Sequence, residues 1–335
     1  MKNTLLLAVF VGMGSLTACA DDADAPVDSA VYFQRVASAL QDSKVVRERA
    51  LAAQLFALQG KPRRAVEQSR QPDSPQDALA LQLIVDVEKS DDAVALSVAA
   101  QAGAALADQV LATASTQRWR SLEQDNLAPL LFSAMPADEV LLAARATTRY
   151  RGHGYDQVRL MSEAFQRVPI SREETGADAW KEYPSAELRA GVAAFAIWAA
   201  QAFPSLRLLT EACRDEALQA TPTRRADCLH VARTLASHSD NQLMAGMGIG
   251  MLKRAANTPE DIALADTLAR NHAWQQRKYH EVLSSQRGTA QEAEGMLRLL
   301  RTPGIDSEIQ LLEAALREQG ISLLPPQDWN PPGSG

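Results

Sequence analysis

The five histidines are the first side chains to test for chemistry, because histidine is a common metal ligand and proton-transfer group. His230 and His238 are eight residues apart, and so are His272 and His280. Two helical turns separate such positions by about 12 Å, which is too far for one metal ion. His280-Glu281 begins like the H-E-x-x-H zinc motif of a helix, but Ser284 stands where the second histidine is required. The sequence therefore predicts no metal site and no cofactor.

Two of the three cysteines are placed to form a disulfide. Cys213 and Cys228 flank the turn at Ala220-Thr221-Pro222, about two helical turns before and after it. In an antiparallel helical hairpin these positions come level, and each lies on the apolar face of its helix. Their Cα atoms can then reach the separation of about 5.5–6 Å that a disulfide needs. We therefore predict a Cys213–Cys228 disulfide, and two buried thiols are the alternative.

Positive and aromatic side chains concentrate near the middle of the chain, where glycines interrupt the helical pattern. On an acidic protein such a cluster is suited to bind an acidic protein partner. The alternative is a solvated loop region with no partner. The residues of this predicted patch are Arg149, Arg151, His153, Tyr155, Arg159 and Arg172.

Motifs for catalysis are weak. No G-x-S-x-G occurs, and Ser162-Glu163 has the reverse order of the Glu-Ser signature of lytic transglycosylases. Glu173-Glu174 is an adjacent carboxylate pair in a segment without helical periodicity. We therefore predict that the protein is not an enzyme. The alternative is an enzyme that acts on peptidoglycan through an unrecognised active site, for which Glu163 and Glu174 are the residues to substitute.

A cluster of glycines, Gly246-Met247-Gly248-Ile249-Gly250, has the wrong order for a dinucleotide-binding loop, and no strand precedes it. Within a helix, Gly246 and Gly250 lie one turn apart. They would let a neighbouring backbone approach closely, so we predict a tight helix contact there.

The N-terminus has the layout of a secretory signal. Lys2 is followed by the apolar run TLLLAVFVGM, which is too short to cross a bilayer, since a span needs about 20 apolar residues. Leu16-Thr17-Ala18-Cys19 then resembles the lipobox of bacterial lipoproteins. This resemblance covers only residues 1–19 and implies removal of residues 1–18 and lipidation of Cys19. It implies a lipid-anchored protein that faces the periplasm, at the outer membrane because Ala20 follows the cysteine, with the inner membrane as the alternative.

The remaining chain is predicted to form a succession of helices, because strong helix formers dominate and apolar residues recur at helical spacing. Ser or Thr followed by Pro marks helix starts at Pro75, Pro222, Pro259 and Pro303. The spacing predicts one helix over 205–219 and separate helices over 259–271 and 274–285. We predict an all-α fold, an irregular helical-repeat array that loosely resembles tetratricopeptide or HEAT-like repeats. A globular multi-helix bundle is the alternative.

The predicted organisation has five parts. The signal peptide 1–18 is followed by a flexible tether over 19–29. An N-terminal helical region covers 30–168, and a C-terminal helical region covers 185–320. A Pro-rich tail over 321–335 either docks Trp329 on the body or stays free of it.

Charge limits the partners. The chain has 41 acidic and 34 basic residues, a formal charge of −7. An acidic chain without a dense basic block is not expected to bind nucleic acid. Helical arrays most often bind proteins. We therefore expect a lipid-anchored protein that binds a protein partner, either as an envelope assembly factor or as an immunity protein against a secreted toxin.

Overall fold

The computed structural model describes residues 29–59, 74–170, 183–200, 204, 206–286 and 290–331. Within these ranges the chain is all-α, as predicted, with two isolated β-bridges and no strand. The described helices pack as hairpins and vary from 5 to 28 residues, so no unit of constant length repeats among them. They are α1 (Ser29–Leu40), α2 (Val46–Gln59), α3 (Pro75–Val87), α4 (Ala93–Ala105), α5 (Gln109–Leu122), α6 (Ala128–Phe132), α7 (Ala137–Ala144), α8 (Gly154–Arg167), α9 (Ala186–Ala200), α10 (Arg207–Ala212), α11 (Asp215–Ala220), α12 (Pro222–His238), α13 (Gln242–Ala255), α14 (Pro259–Gln286), α15 (Ala290–Arg301) and α16 (Glu308–Glu318).

Proline and a preceding hydroxyl begin α3 and α14 as predicted. The Ser74 hydroxyl accepts a hydrogen bond from the Asp77 amide at 3.1 Å. The Thr258 hydroxyl accepts one from the Asp261 amide at 3.2 Å. Each bond satisfies a backbone N–H that has no partner inside the helix. Pro222 also begins α12, although the hydroxyl of the residue before it makes no such bond.

The helix start predicted at Pro303 is wrong. Gly304 follows with a φ of 84°, a left-handed conformation that ends helical geometry and suits glycine. Helix α16 begins instead at Glu308, where the Ser307 hydroxyl accepts a hydrogen bond from the Gln310 amide at 3.1 Å. A serine cap without proline is therefore the effective signal here.

Two further boundaries differ from the prediction. The segments predicted over 259–271 and 274–285 form the single helix α14, because no glycine or proline separates them. The segment predicted as one helix over 205–219 is broken into α10 and α11, where Arg214 is extended with a ψ of 160°. Asp215 and Glu216 then lie in the first turn of α11, where the helix dipole favours negative charge.

A single hydrophobic cluster runs through the described residues. It includes Phe56, Trp119 and Phe165 of the N-terminal region, and Leu235 and Leu300 of the C-terminal region. Helix α8 packs against α9 across the predicted boundary at residues 168–185. The regions predicted over 30–168 and 185–320 therefore share one core.

The end of the chain lies on α14. Trp329 packs edge-to-face on Trp274, with ring centroids 5.3 Å apart, and Trp274 donates a hydrogen bond from Nε1 to the Ser322 carbonyl at 2.8 Å. The tail is thus docked through Trp329, up to the last described residue. In the described part of the chain, every helix falls short of the length and apolarity that a bilayer crossing requires.

Candidate functional site: the junction loop and its pocket

The segment Arg149–His153, called the junction loop here, ties the two halves of the chain together. The Leu127 amide donates to the Arg149 carbonyl at 2.8 Å, and the Tyr150 amide donates to the His238 carbonyl at 2.9 Å. The Asp240 amide donates back to the Tyr150 carbonyl at 3.1 Å. These bonds form short parallel bridges to residues on either side. The loop is therefore held by backbone bonds to segments about 25 and 90 residues away.

His153 ends the junction loop in a left-handed conformation, with a φ of 58°. Its ring is buried, with 4% of its surface exposed. Nδ1 lies 3.1 Å from Oδ2 of Asp156, and Nε2 lies 3.0 Å from Oε2 of Glu123. Burial alone would lower the pKa of His153, but these two carboxylates raise it. A carboxylate beside each ring nitrogen favours the imidazolium, the form that can donate to both.

Glu123 is the partner of His153 whose pKa is shifted most strongly. Burial would raise its pKa, but hydrogen bonds from His153, Trp119 and Asn126 lower it to about 2. Asn126 also donates from Nδ2 to the Arg151 carbonyl at 2.9 Å. The Glu123–His153 ion pair is therefore part of the structure that holds the junction loop. Trp119 and Asn126 also donate hydrogen bonds to Glu123.

The predicted patch is largely engaged within the protein. Arg149 lies 3.2 Å from Asp125, and Arg151 lies 3.2 Å from Asp156. Their side chains are 40% and 36% exposed, so they remain at the surface. Arg172 lies outside the described residues. Binding of an acidic partner here stays a prediction for Arg149, Arg151 and Arg172.

The other patch residues point inward, as His153 does. Tyr155 is 6% exposed and donates from its hydroxyl to the Leu299 carbonyl at 3.3 Å. Arg159 donates to the carbonyls of Leu300 and Ile305, each at 2.6 Å. His153 and Tyr155 are therefore buried between helices, while Arg159 is half-buried and also pairs with the exposed Asp306. Periodicity could not reveal these contacts.

Behind the junction loop lies an acidic side chain that sequence reasoning missed. Oδ2 of Asp240 accepts hydrogen bonds from the amides of Gly152 at 2.9 Å and His153 at 3.2 Å. Oδ1 of Asp240 is enclosed by protein and has no hydrogen-bond partner. Burial raises the pKa of Asp240 to about 6, against the opposing effect of those bonds.

Glu308 at the start of α16 is the second missed carboxylate. Its Oε2 accepts from Asn241 Nδ2 at 2.9 Å and from the Gln242 amide at 3.0 Å. Burial raises its pKa to about 7, and the nearby charge of Asp240 adds to this rise. The only sequence signal is the helix-capping pattern around Asn241 and Ser307, which indicates a helix start and not a site.

Asp240 and Glu308 line one wall of a small cavity of about 40 Å³. We call it the junction pocket. Its other walls are mainly aromatic and come from Phe132, Tyr150, Tyr155 and Trp198. Gly154 is required beside it, because an added Cβ would lie 2.4 Å from Nε1 of Trp198.

A larger groove lies between α14, α15 and α16, with a volume of about 360 Å³. We call it the C-terminal groove. Its apolar wall includes Val282, Leu283, Met296 and Leu299. Its charged lining residues are Glu294 and the ion pair of Arg298 with Glu318. A Cβ added at Gly295 would meet no atom within 4 Å, so the groove is open at that point.

The predicted disulfide is present. Cys213 and Cys228 are bonded, with their Cα atoms 5.8 Å apart. Cys213 follows α10, and Cys228 lies within α12. The bond therefore joins the short helices before the turn to the long helix after it.

The remaining candidates stay apart from these sites. His230 lies 2.9 Å from the Thr147 carbonyl, and burial lowers the pKa of His272. Among the described residues, no group of three or more His, Cys, Asp or Glu side chains could hold a metal ion. Glu163 is exposed on α8, and Glu174 lies outside the described residues.

The glycine cluster does make a tight helix contact, but through a different residue from those predicted. At Gly248 an added Cβ would lie 2.4 Å from the Ala236 backbone nitrogen in α12. At Gly246 it would lie 3.3 Å from the His272 ring, and at Gly250 it would meet no atom within 4 Å.

Residues 1–28 lie outside the described part of the chain, so the lipobox and the lipidation of Cys19 stay predictions. No family model, curated protein or solved structure matches the chain. The function must therefore be argued from the sites themselves.

Proposed function

We propose that this protein is a lipid-anchored envelope protein that faces the periplasm and binds a protein partner through the C-terminal groove. The groove is the observation that carries the proposal. It has a volume of about 360 Å³, an apolar wall, and open space beside Gly295. The lipobox-like segment ending at Cys19 supports the anchoring, which we place at the outer membrane.

The occupant that suits this groove is an amphipathic helix of the partner. Val282, Leu283 and Met296 are half-buried along it, and such walls accept the apolar face of a helix. Glu294 is exposed among the lining residues, and the whole chain carries a charge of −7. Basic residues beside the apolar face of the incoming helix would complement this charge.

The docking is tested with a photoreactive side chain in intact cells. Placed at Glu294, it should crosslink a partner, and tryptic mapping should locate the crosslink in an amphipathic helix. Arg254, exposed on α13, is the control position and should give no such product. Capture of a β-barrel assembly component would favour an assembly role, and capture of a secreted hydrolase would favour immunity.

A pair of glycines gives matched variants. Gly295 in α15 and Gly250 in α13 are both helical, and a Cβ added at either meets no atom within 4 Å. Gly295→Trp fills the groove and should reduce partner capture at least tenfold, while Gly250→Trp should leave it unchanged. Equal capture by both variants, or a crosslink in a polar loop of the partner, would refute docking in the groove.

Anchoring is tested separately. The wild-type protein should incorporate radiolabelled palmitate and sediment with membranes, and Cys19→Ser should do neither, because the thiol is the acceptor of the lipid. An unlabelled wild-type protein would contradict the lipobox interpretation without touching the groove.

A further inference from the structure

The junction pocket has no part in the proposed partner docking, yet it has the chemistry of a binding site. We propose that it binds one primary ammonium group, supplied either by a lysine side chain of a protein partner or by a small free amine. The inference goes beyond the proposed function, because it concerns a different cavity and a different ligand.

Fixed acceptors are the first requirement for an ammonium site, and the pocket supplies them. Oδ1 of Asp240 is buried without a partner, while its Oδ2 is held by two backbone amides. Glu308 is held in the same way, because its Oε2 accepts from Asn241 and the Gln242 amide. An enclosed acceptor that lacks a donor is unfavourable by about 1–3 kcal/mol, and a cation in the cavity would stabilise both carboxylates by its charge.

Charge also favours a cation. The junction carries five carboxylates and three cationic side chains, which leaves two negative charges in excess when all are ionised. The acidic residues are Glu123, Asp125, Asp156, Asp240 and Glu308, and the basic residues are Arg149, Arg151 and His153. His153 is engaged by Glu123 and Asp156. Its charge and that of Arg151 offset the burial of Asp240 only in part, because the pKa of Asp240 is still raised to about 6.

Aromatic walls complete the site. Phe132, Tyr150, Tyr155 and Trp198 line the cavity beside the two carboxylates. Aromatic faces attract an alkylammonium group electrostatically, by about 0.5–2 kcal/mol for each well-placed ring. A pocket that combines aromatic rings and carboxylates therefore favours an organic cation over an anion or a neutral sugar.

Size selects among organic cations. The cavity of about 40 Å³ exceeds the roughly 10–15 Å³ that one water-sized group needs. An ammonium nitrogen with its three hydrogens fits that space, whereas a trimethylammonium group adds three methyl groups to it. Among the described residues, no third metal-ligating side chain lies near these two carboxylates. The site therefore differs from a metal centre.

The binding should depend on pH. The pKa is about 6 for Asp240 and about 7 for Glu308, each raised by burial. Tyr150, Arg151 and His153 are the other titratable or charged groups that face Asp240. An alkylammonium ion stays protonated to about pH 10, so its affinity should rise as the two carboxyls ionise between about pH 5.5 and 8.

Titration of the purified wild-type protein in phosphate buffer with n-butylammonium chloride tests the proposal. Trp198 fluorescence and calorimetry should both show saturable one-site binding, and tetramethylammonium should bind at least tenfold more weakly. Glu308→Gln and Asp240→Asn should each weaken n-butylammonium at least tenfold. Glu163→Gln, which removes an exposed carboxylate outside the pocket, should leave the affinity unchanged, and thermal melting checks that each variant is folded.

A second arm identifies the source of the ammonium. A lysine peptide with blocked ends that binds more tightly than n-butylammonium indicates a partner lysine, and tighter binding of the free amine indicates a small ligand. Gly295→Trp should leave both affinities unchanged, so this test is independent of the C-terminal groove. No saturable binding of either probe, or equal affinity in wild type and in folded Glu308→Gln, would overturn the proposal.

Discussion

Gly248 offers the sharpest test of how the C-terminal helices pack. An added Cβ there would lie 2.4 Å from the Ala236 nitrogen, 2.5 Å from the Leu235 Cβ and 2.8 Å from the Leu235 carbonyl carbon. Backbone atoms cannot rotate away as a side chain can, so α12 and α13 must separate. At Gly250, two residues along the same helix, an added Cβ meets nothing within 4 Å.

The two alanine variants share one favourable contribution and differ in another. Replacing a helical glycine by alanine stabilises the helix by about 0.5–1 kcal/mol at either position. Only Gly248→Ala also forces a packed interface apart, which destabilises by about 1–3 kcal/mol. We therefore expect Gly250→Ala to raise the free energy of unfolding by about 0.5–1 kcal/mol, and Gly248→Ala to lower it by up to about 2 kcal/mol.

Urea unfolding followed by far-UV circular dichroism measures both values. The difference between the two variants isolates the steric contribution, because the helix propensity is common to both and cancels. A chain of this size should also show a melting shift of about 2 °C for each kcal/mol. If Gly248→Ala stabilised the protein as much as Gly250→Ala, the close approach of α12 and α13 would be refuted.

Replacing both Cys213 and Cys228 by serine should destabilise the protein by about 3 kcal/mol, the chain-entropy value for a separation of 15 residues; a midpoint equal to that of the wild type in urea would contradict this. Raising the pH from about 5 to about 8 should lower the free energy of unfolding by about 1–3 kcal/mol, because the folded pKa of Glu308, about 7, lies above its ordinary value of 4.5 and the folded state holds the extra proton in this window. Glu308→Gln should reduce that slope and leave the part that comes from the raised pKa values of Asp240, about 6, and of His153; an unchanged slope would assign it elsewhere. Trp329→Ala should destabilise by about 1–2 kcal/mol and speed proteolysis of the tail, since the ring packs on Trp274; unchanged proteolysis would show that the ring contact does not hold the tail.

Local signals in the sequence were sufficient for the helices and the disulfide. Ser74 and Thr258 cap their helices by bonds to residues three positions later, so the whole interaction lies within one short segment. Cys213 and Cys228 are bonded as predicted, although Cys213 follows α10 and the short helix α11 lies between it and the turn. The helix start predicted at Pro303 was wrong because Gly304 ends the helical geometry. Rules based on helix propensity score each residue separately, so they do not show that a glycine cancels the signal of the proline before it.

The candidate site could not be predicted for the opposite reason. Glu123 and His153 are 30 residues apart, and Asp240 lies 87 residues beyond His153. Nothing in the periodicity of either segment specifies that they meet. The positive charges near residue 150 were visible in the sequence. Asp156, which engages Arg151 and His153, lies close by in the chain, but Glu123 and Asp125 come from a segment about 25–30 residues earlier. Only the tertiary fold turned a predicted surface patch into an internal junction.

Glu308 gives a second argument for the proposed ammonium site. The bonds it accepts from Asn241 and Gln242 need an oxygen but no charge, and a glutamine at this position could supply that oxygen. Ionising the buried acid above its pKa of about 7 instead destabilises the folded state. The same argument holds for Asp240, whose second oxygen is left without a donor. Two unfavourable carboxylates that line one cavity depart from what stability alone would select, and such departures concentrate at functional sites. The proposed ammonium group would stabilise both carboxylates, because its positive charge offsets theirs.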